Sequence, residues 1–327
     1  TAPDGTERHF RADAGRTWRE CDASAIDTIY VCQRFGVEDR FMLYALKGRT
    51  FFFVGEFDTY EITLFLEGIG GCGKSTIMKG QMEFWPHHLK GIQSSNMQSQ
   101  FGMSSTAVNK SGGYTSIVIN SEVNDDLQIP QEEWQQAVSG EWVSLAVKHK
   151  EPLVMKWIAP FLWSGNRGPG IKNKWNNQQG QVSRRLAGVK MEFPVQPRDG
   201  NIMRKIKKTL GQLQRKQILA YFEFLRVHGS IDPMSVPTKL PPAFASFYSK
   251  FRQATDPMEH FLSEGTFVKQ EEGKTMLMSE FKELYQQYRI QFDLGKALRW
   301  SEDTYRTPFN ERGIKVERME RYTDDAG

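Results

Sequence analysis

The sequence predicts an α/β fold built on a parallel sheet, and three observations carry that expectation. Short apolar runs recur through the first two thirds of the chain: Phe51-Phe52-Phe53-Val54, Ile62 to Leu66, Thr115 to Ile119, Trp157 to Trp163 and Leu186 to Phe193. They are bounded by Gly, Asn and Pro and separated by helix-like stretches, as strands buried on both faces of a sheet are. A glycine-rich segment follows one of these runs directly and opens a helix-like stretch. Finally, 327 residues with 39% hydrophobic and 12% aromatic content suffice for a real core and for two or three domains.

Composition narrows the function classes. The longest apolar runs, such as Ile117-Val118-Ile119, fall far short of the roughly 20 residues that span a bilayer, and no charged-then-apolar leader opens the chain. An intracellular protein with no membrane partner is expected. Cys21, Cys32 and Cys72 are too few and scattered for a disulfide framework or zinc site, which favours a reducing compartment. The start at Thr1 rather than Met reads as a piece of something longer. Net charge is +4, from 43 basic and 39 acidic residues, too mild to indicate a polyanion partner. The tightest basic cluster is Arg198, Arg204, Lys205, Lys207, Lys208, Arg215 and Lys216, with Asp199 its only acid. It reads equally well as a solvated helix face.

Along the chain, residues 1–48 read as a helical N-terminal collar, with short helices over Ala23 to Phe35 and Phe41 to Leu46. Residues 49–197 hold the strand-like runs and form the expected core domain. Residues 198–327 begin with the basic helical stretch, pass through a Pro- and Ser-rich segment from Gly229 to Pro242, and end in Met258 to Tyr322. That last segment contains helix-like Met278 to Ile290 and strand-like Ile314 to Met319, a small helix-and-wing module.

The glycine-rich segment is Gly68-Ile69-Gly70-Gly71-Cys72-Gly73-Lys74-Ser75-Thr76, preceded by Thr63-Leu64-Phe65-Leu66-Glu67. It fits strand, G-x-x-x-x-G-K-[ST] loop, then helix. Glycines at Gly68, Gly70, Gly71 and Gly73 let successive N–H groups, including that of Cys72, close around phosphate oxygens, and the helix points its positive end at them. Lys74 would reach the β and γ phosphates, the Ser75 hydroxyl would ligand Mg²⁺, and Thr76 completes the loop. ATP and Mg²⁺ are the expected cofactors. A glycine-rich turn capping a helix is the bland alternative.

A phosphate loop alone does not name a reaction. About forty residues on, Ser116-Ile117-Val118-Ile119-Asn120-Ser121-Glu122 reads as a strand ending in an acid, which would polarise the attacking water and help hold the metal. A further strand ends in Ser164-Gly165-Asn166, where the Asn166 amide can bond both γ-phosphate and water. Ser183-Arg184-Arg185-Leu186 precedes the last strand, and either guanidinium could reach a neighbour's site to stabilise charge on the transferring phosphoryl group.

This order of motifs resembles the superfamily 3 helicases, and within them the helicase half of the poxvirus and giant-virus primase-helicases and their phage relatives. The resemblance runs from Leu46 to Pro194, through Gly48-Arg49-Thr50, the P-loop, Glu122, Ser139-Gly140-Glu141, Lys148-His149-Lys150-Glu151-Pro152, Asn166 and Arg184-Arg185. Ser139 to Pro152 resembles the family's channel hairpin, which implies that Lys148 and Lys150 hold nucleic-acid phosphates. Trp142 is available there for stacking. The C-terminal segment from Asp256 to Tyr322 resembles the family's winged-helix-like region. The family pattern has two adjacent acids where this chain has Ser121 before Glu122. Magnesium is then held chiefly by Ser75 with Glu122 acting through water, or Asp125 or Asp126 lends charge, or hydrolysis is slow.

The resemblance implies a P-loop AAA+ type ATPase core with a helical N-terminal collar and a C-terminal helical and winged-helix-like region. It also implies an ATP-dependent DNA helicase working as a homo-oligomeric hexamer on single-stranded or forked DNA. Viral-type replication, in host cytoplasm or nucleus, with a primase domain or polymerase as partner, belongs to the same implication. Two other readings of the motifs are a P-loop nucleotide or small-molecule kinase and a structural ring or loader with weak hydrolysis.

Overall fold

The structure is a computed structural model that describes residues 17–85, 103, 115–123, 129–145, 151–169, 175, 177, 180–291, 300 and 302–316. It divides into two packing units, Thr1–Tyr248 and Ser249–Gly327. In the first, six strands are described: β1 (Thr63–Gly68), β2 (Val118–Val123), β3 (Trp142–Leu145), β4 (Leu153–Lys156), β5 (Phe161–Gly165) and β6 (Leu186–Met191). β3 and β4 form an antiparallel hairpin, and the other four form a parallel sheet in the order β2-β5-β1-β6. β1 and β5 lie in the middle of the sheet and are almost wholly buried, which is why their sequences are apolar without alternation. The fold is α/β with a parallel central sheet, as the apolar runs predict.

One run departs from expectation. Phe51 to Val54 is not a strand but a turn following helix α2 (Val37–Arg49). Its rings meet helical neighbours instead of a ladder: Phe51 lies 5.0 Å from both Phe84 and Trp85, and Phe52 stacks on Tyr221 at 5.6 Å. Strand-like composition here serves aromatic packing.

Helix α1 (Ser24–Cys32) and α2 share one core with the sheet, in which Ile26, Ile29, Tyr30, Leu43 and Tyr44 meet Leu64, Leu66, Leu162 and Val189. α2 begins earlier than Phe41 because Asp39 organises its first turn: one carboxylate oxygen accepts from Gly36 N at 3.0 Å and the other from Ala243 N at 2.9 Å. α3 (Lys74–Met82), α4 (Gln131–Val138), α5 (Ile202–Lys208) and α6 (Leu210–His228) follow. α2 and α6 touch backbone to backbone at Gly48, where a Cβ would stand 2.0 Å from the Gln217 carbonyl oxygen. Helices before and after the sheet are built into its core, and packing divides the chain after Tyr248.

The chain entering β1 is pinned by a buried ion pair. Arg49 meets Asp58 through Nε at 2.9 Å and Nη2 at 3.0 Å, donates to Ile62 O and Tyr60 O, and Tyr221 donates to the same carboxylate at 2.5 Å. A charge this deep is tolerable because its hydrogen-bonding capacity is spent on partners.

The second unit continues in α7 (Pro242–Thr255, which crosses the division), α8 (Pro257–Glu264), α9 (Met278–Gln291) and α10 (Glu302–Glu311). Phe261, Phe281, Tyr285, Tyr288 and Phe309 form its core. The expected helix from Met278 is present, whereas Ile314 to Val316 is not a strand and the rest of that segment lies outside the described residues. Among the described residues no helix is long and apolar enough to cross a membrane.

Lys47 is 1% exposed, with its ammonium 5.0 Å from the Tyr30 ring and 4.7 Å from that of Tyr44. Burial pulls its pKa from 10.5 down to about 7, with Asp27 opposing the shift and Lys216 adding to it. Between those values the unfolded chain binds the extra proton, so stability rises with pH across that window. The Lys47→Met variant should lose this slope and be at least as stable as the parent at pH 7. Urea midpoints measured from pH 7 to about 9 test this, and parallel curves for the two proteins would show that the amine stays hydrated.

Candidate functional site

Parallel strands place their carboxyl ends on one edge of the sheet, where open α/β folds bind ligands. Here Glu67 is level with Gly165, Gly68 with Met191 and Val123 with Gly165, so the segments leaving β1, β5 and β2 emerge together. The loop leaving β1 turns through Gly71 at φ 80° and Gly73 at φ 98° before α3 begins. At Gly73 only glycine fits, since a Cβ would stand 2.6 Å from Ile29 Cγ2. No side chain caps α3, and the first N–H groups of a helix have no acceptor within it. They are available to an anion.

This edge encloses a cavity of about 650 Å³. Ile69 to Thr76, Ser121, Glu122, Gly165 and Asn166 all line it, so three motifs far apart in sequence converge on one space. Gly68 sits behind the wall and acts through its carbonyl. Lys74 is 8% exposed; its ammonium donates to Gly68 O, to Ile69 O at 3.0 Å and to Asn166 Oδ1 at 3.4 Å. Cys72 turns its thiol into the core and presents backbone to the loop.

Glu122 owes its position to an irregularity in the ladder. The β2–β5 register shifts between Asn120 and Val123, leaving Ser121 and Glu122 at a bulge, a device that re-aims side chains beside functional sites. Asn120 Oδ1 accepts from Glu122 N at 3.0 Å, and Ser164 Oγ donates to Ser121 O at 2.8 Å, which fixes the bulge. Glu122 and Ser75 are both exposed and line the same cavity. A hydroxyl and a carboxylate are oxygen donors suited to Mg²⁺, which takes one or two protein ligands and completes its shell with phosphate and water. Among the described residues no group of three or more His, Cys, Asp or Glu could hold a metal alone. Asp125 and Asp126 lie outside the described residues.

The two arginines do not line the cavity of their own chain. They form a 3-10 turn, Ser183–Arg185, ahead of β6, and their environments differ. The Arg185 side chain is 10% exposed, meets Glu61 at 2.7 Å and donates to Gln181 O at 3.0 Å; burial lowers its pKa against the opposing pull of Glu61. The Arg184 side chain is 53% exposed and 3.7 Å from the same carboxylate. Arg184 is thus the freer arm.

On the hairpin, Trp142 is 68% exposed and level with Lys156 across the strands. Lys148 and Lys150 lie outside the described residues. The basic cluster is not one surface: Lys216 turns inward to Asp27 at 2.7 Å, Lys205 pairs with Asp199 at 2.7 Å and Lys207 with Glu83 at 2.9 Å.

Several wall residues carry no local sequence signal of their place at the cavity. Ile29 comes from α1, and Val195, Arg198, Asp199 and Gly200 from the segment after β6. Gln33 ties these parts together. Its amide donates to Cys72 O at 3.1 Å and Phe193 O at 2.5 Å and accepts from Phe193 N at 3.0 Å, while Val195 N donates to Gly71 O at 3.0 Å.

No protein-family model and no curated protein matches the chain. Among solved structures, it is similar to the A form apo structure of the NrS-1 C-terminal region, at 16% identity over 89% of this chain and 72% of that one, with a TM-score of 0.50. Another apo structure of that region gives 14% identity, 89% and 71% coverage and a TM-score of 0.47. JCV helicase with a bound acetamide compound gives 11% identity, 73% and 68% coverage and 0.27. The first likeness is one of fold, and the other two overlaps are too low to bear on it.

Proposed function

We propose that the protein is an ATP-hydrolysing motor of the superfamily 3 helicase kind that moves along single-stranded DNA as a hexameric ring. The observation that carries this reading is the convergence of the glycine loop, Lys74, Glu122 and Asn166 in one cavity at the carboxyl edge of the sheet. In this reading the loop N–H groups and the start of α3 bind the phosphates. Lys74 exchanges its carbonyl partners for β and γ oxygens, and Glu122 orients the attacking water and takes its proton while Asn166 holds that water against the γ-phosphate. Ser75 and Glu122 hold Mg²⁺, which when bound neutralises charge on the phosphates. ADP and phosphate are the products.

Arg184 completes the site of an adjacent subunit, which makes a closed head-to-tail ring the active form. Trp142 stacks on bases while Lys148 and Lys150 hold phosphates in the channel. The finer affiliation, to the helicase half of poxvirus and giant-virus primase-helicases with a primase or polymerase partner inside a host cell, rests on motif order.

Measuring ATP turnover with and without single-stranded DNA tests the proposal, and stimulation by DNA is the expected result. Turnover that requires a small phosphoryl acceptor, or no turnover at all, would replace the motor with a kinase or a structural ring.

A further inference from the structure

Resting on the nucleotide-site reading, we infer that Arg198 is a further binding residue for the polyphosphate of the nucleotide, supplied by the same chain as the P-loop. Arg198 lines the cavity beside the glycine loop, and its Nη2 lies 3.7 Å from where a Cβ on Gly71 would stand. Its guanidinium therefore lies against the loop backbone, on a segment that Val195 N fastens to Gly71 O at 3.0 Å. A cation carried on that segment stays with the loop.

The charge at Arg198 is not cancelled. The adjacent acid, Asp199, is committed elsewhere: one oxygen accepts from Lys205 Nζ at 2.7 Å and the other from Asn201 N at 2.9 Å. Among the described residues no carboxylate pairs with Arg198. An exposed guanidinium facing a glycine loop is matched in geometry to phosphate oxygens, which it can hold through two parallel N–H donors where a lysine offers a point charge. Lys74 approaches the loop from the side of Gly68 and Asn166, so the two cations would hold the phosphates between them.

Binding of nucleic-acid phosphate is the competing use of this arginine, since it opens the basic cluster. The pairing of Lys205 and Lys207 with Asp199 and Glu83 weakens that cluster as a continuous surface, and the cavity position favours the nucleotide.

Calorimetric titration of the full chain with a non-hydrolysable ATP analogue, ADP and adenosine tests the inference. Arg198→Ala should weaken the ATP analogue about tenfold, Arg198→Lys should recover part of that loss, and adenosine should bind all three proteins alike. An analogue affinity within twofold of the parent would overturn the inference while leaving the P-loop reading intact. Equal losses for adenosine and the analogue would also overturn it, by assigning the arginine to packing. So would a loss confined to single-stranded DNA titrated alongside the three ligands. A parent that binds none of the three ligands removes the nucleotide-site reading and this inference with it.

Discussion

Replacing Lys74 by alanine should lower ATP turnover by at least about 10²- to 10³-fold, the loss typical of removing a preorganised donor from developing charge. The ammonium is the only side-chain cation that reaches the inner end of the loop among the described residues, where it bonds Gly68 O and Ile69 O. The fold should survive, because the loop's shape is held by other contacts. Gln33 engages Cys72 O, Val195 engages Gly71 O, and Ile29 packs against Gly73. Of the two carbonyls released by the truncation, that of Ile69 belongs to a residue lining the cavity, where water can take the place of the amine. Thermal melting of the variant alongside its turnover separates these effects. Turnover within a few-fold of the parent, in a protein that melts normally, would make the glycine loop a helix cap and nothing more.

The second large effect is expected from mixing two inactive proteins. If Arg184 completes a neighbour's site, Arg184→Ala should assemble yet hydrolyse poorly, because a phosphoryl-transfer arginine is worth about 10³ to 10⁵ in rate. Lys74→Ala supplies a sound Arg184 beside a dead loop, and Arg184→Ala supplies the converse. Mixed rings then contain junctions with every part present, and activity should reappear well above either parent. Arg185 provides the contrast. Its buried pairing with Glu61 at 2.7 Å predicts that Arg185→Ala loses stability, since it strips the strongest partner from that carboxylate. Mixed rings that assemble without recovered activity would place the whole site within one subunit. Rescue by Arg185→Ala instead of Arg184→Ala would reverse the roles assigned to the two side chains.

The glycine loop and its place between β1 and α3 were legible in the sequence because glycine sterics are local. Glycine spacing sets backbone conformation over nine consecutive residues, and the apolar run before it marks the strand that aims it. The strand carrying Glu122 and the strand leading to Asn166 were legible in the same way, since burial on both faces of a parallel sheet leaves a continuous apolar trace. Where an apolar run served ring packing instead, at Phe51 to Val54, composition misled, because a strand and an aromatic turn against a helix draw on the same residues.

Tertiary structure alone decided what surrounds the loop and which charges are free. Gln33 reaches a carbonyl 39 residues on and a backbone pair 160 residues on, a convergence no window of sequence displays. Arg184 and Arg185 are adjacent and identical in type, yet one is half exposed and the other buried against Glu61. Likewise the run of basic residues from Arg198 to Lys216 divides into a residue at the cavity, paired surface lysines and one lysine turned into the core. Sequence determined the loop and the strands because short-range backbone sterics and burial select those residues. Structure decided the walls and the free charges because each depends on long-range packing, which brings carboxylates and carbonyls to a cation without leaving a pattern beside it in the chain.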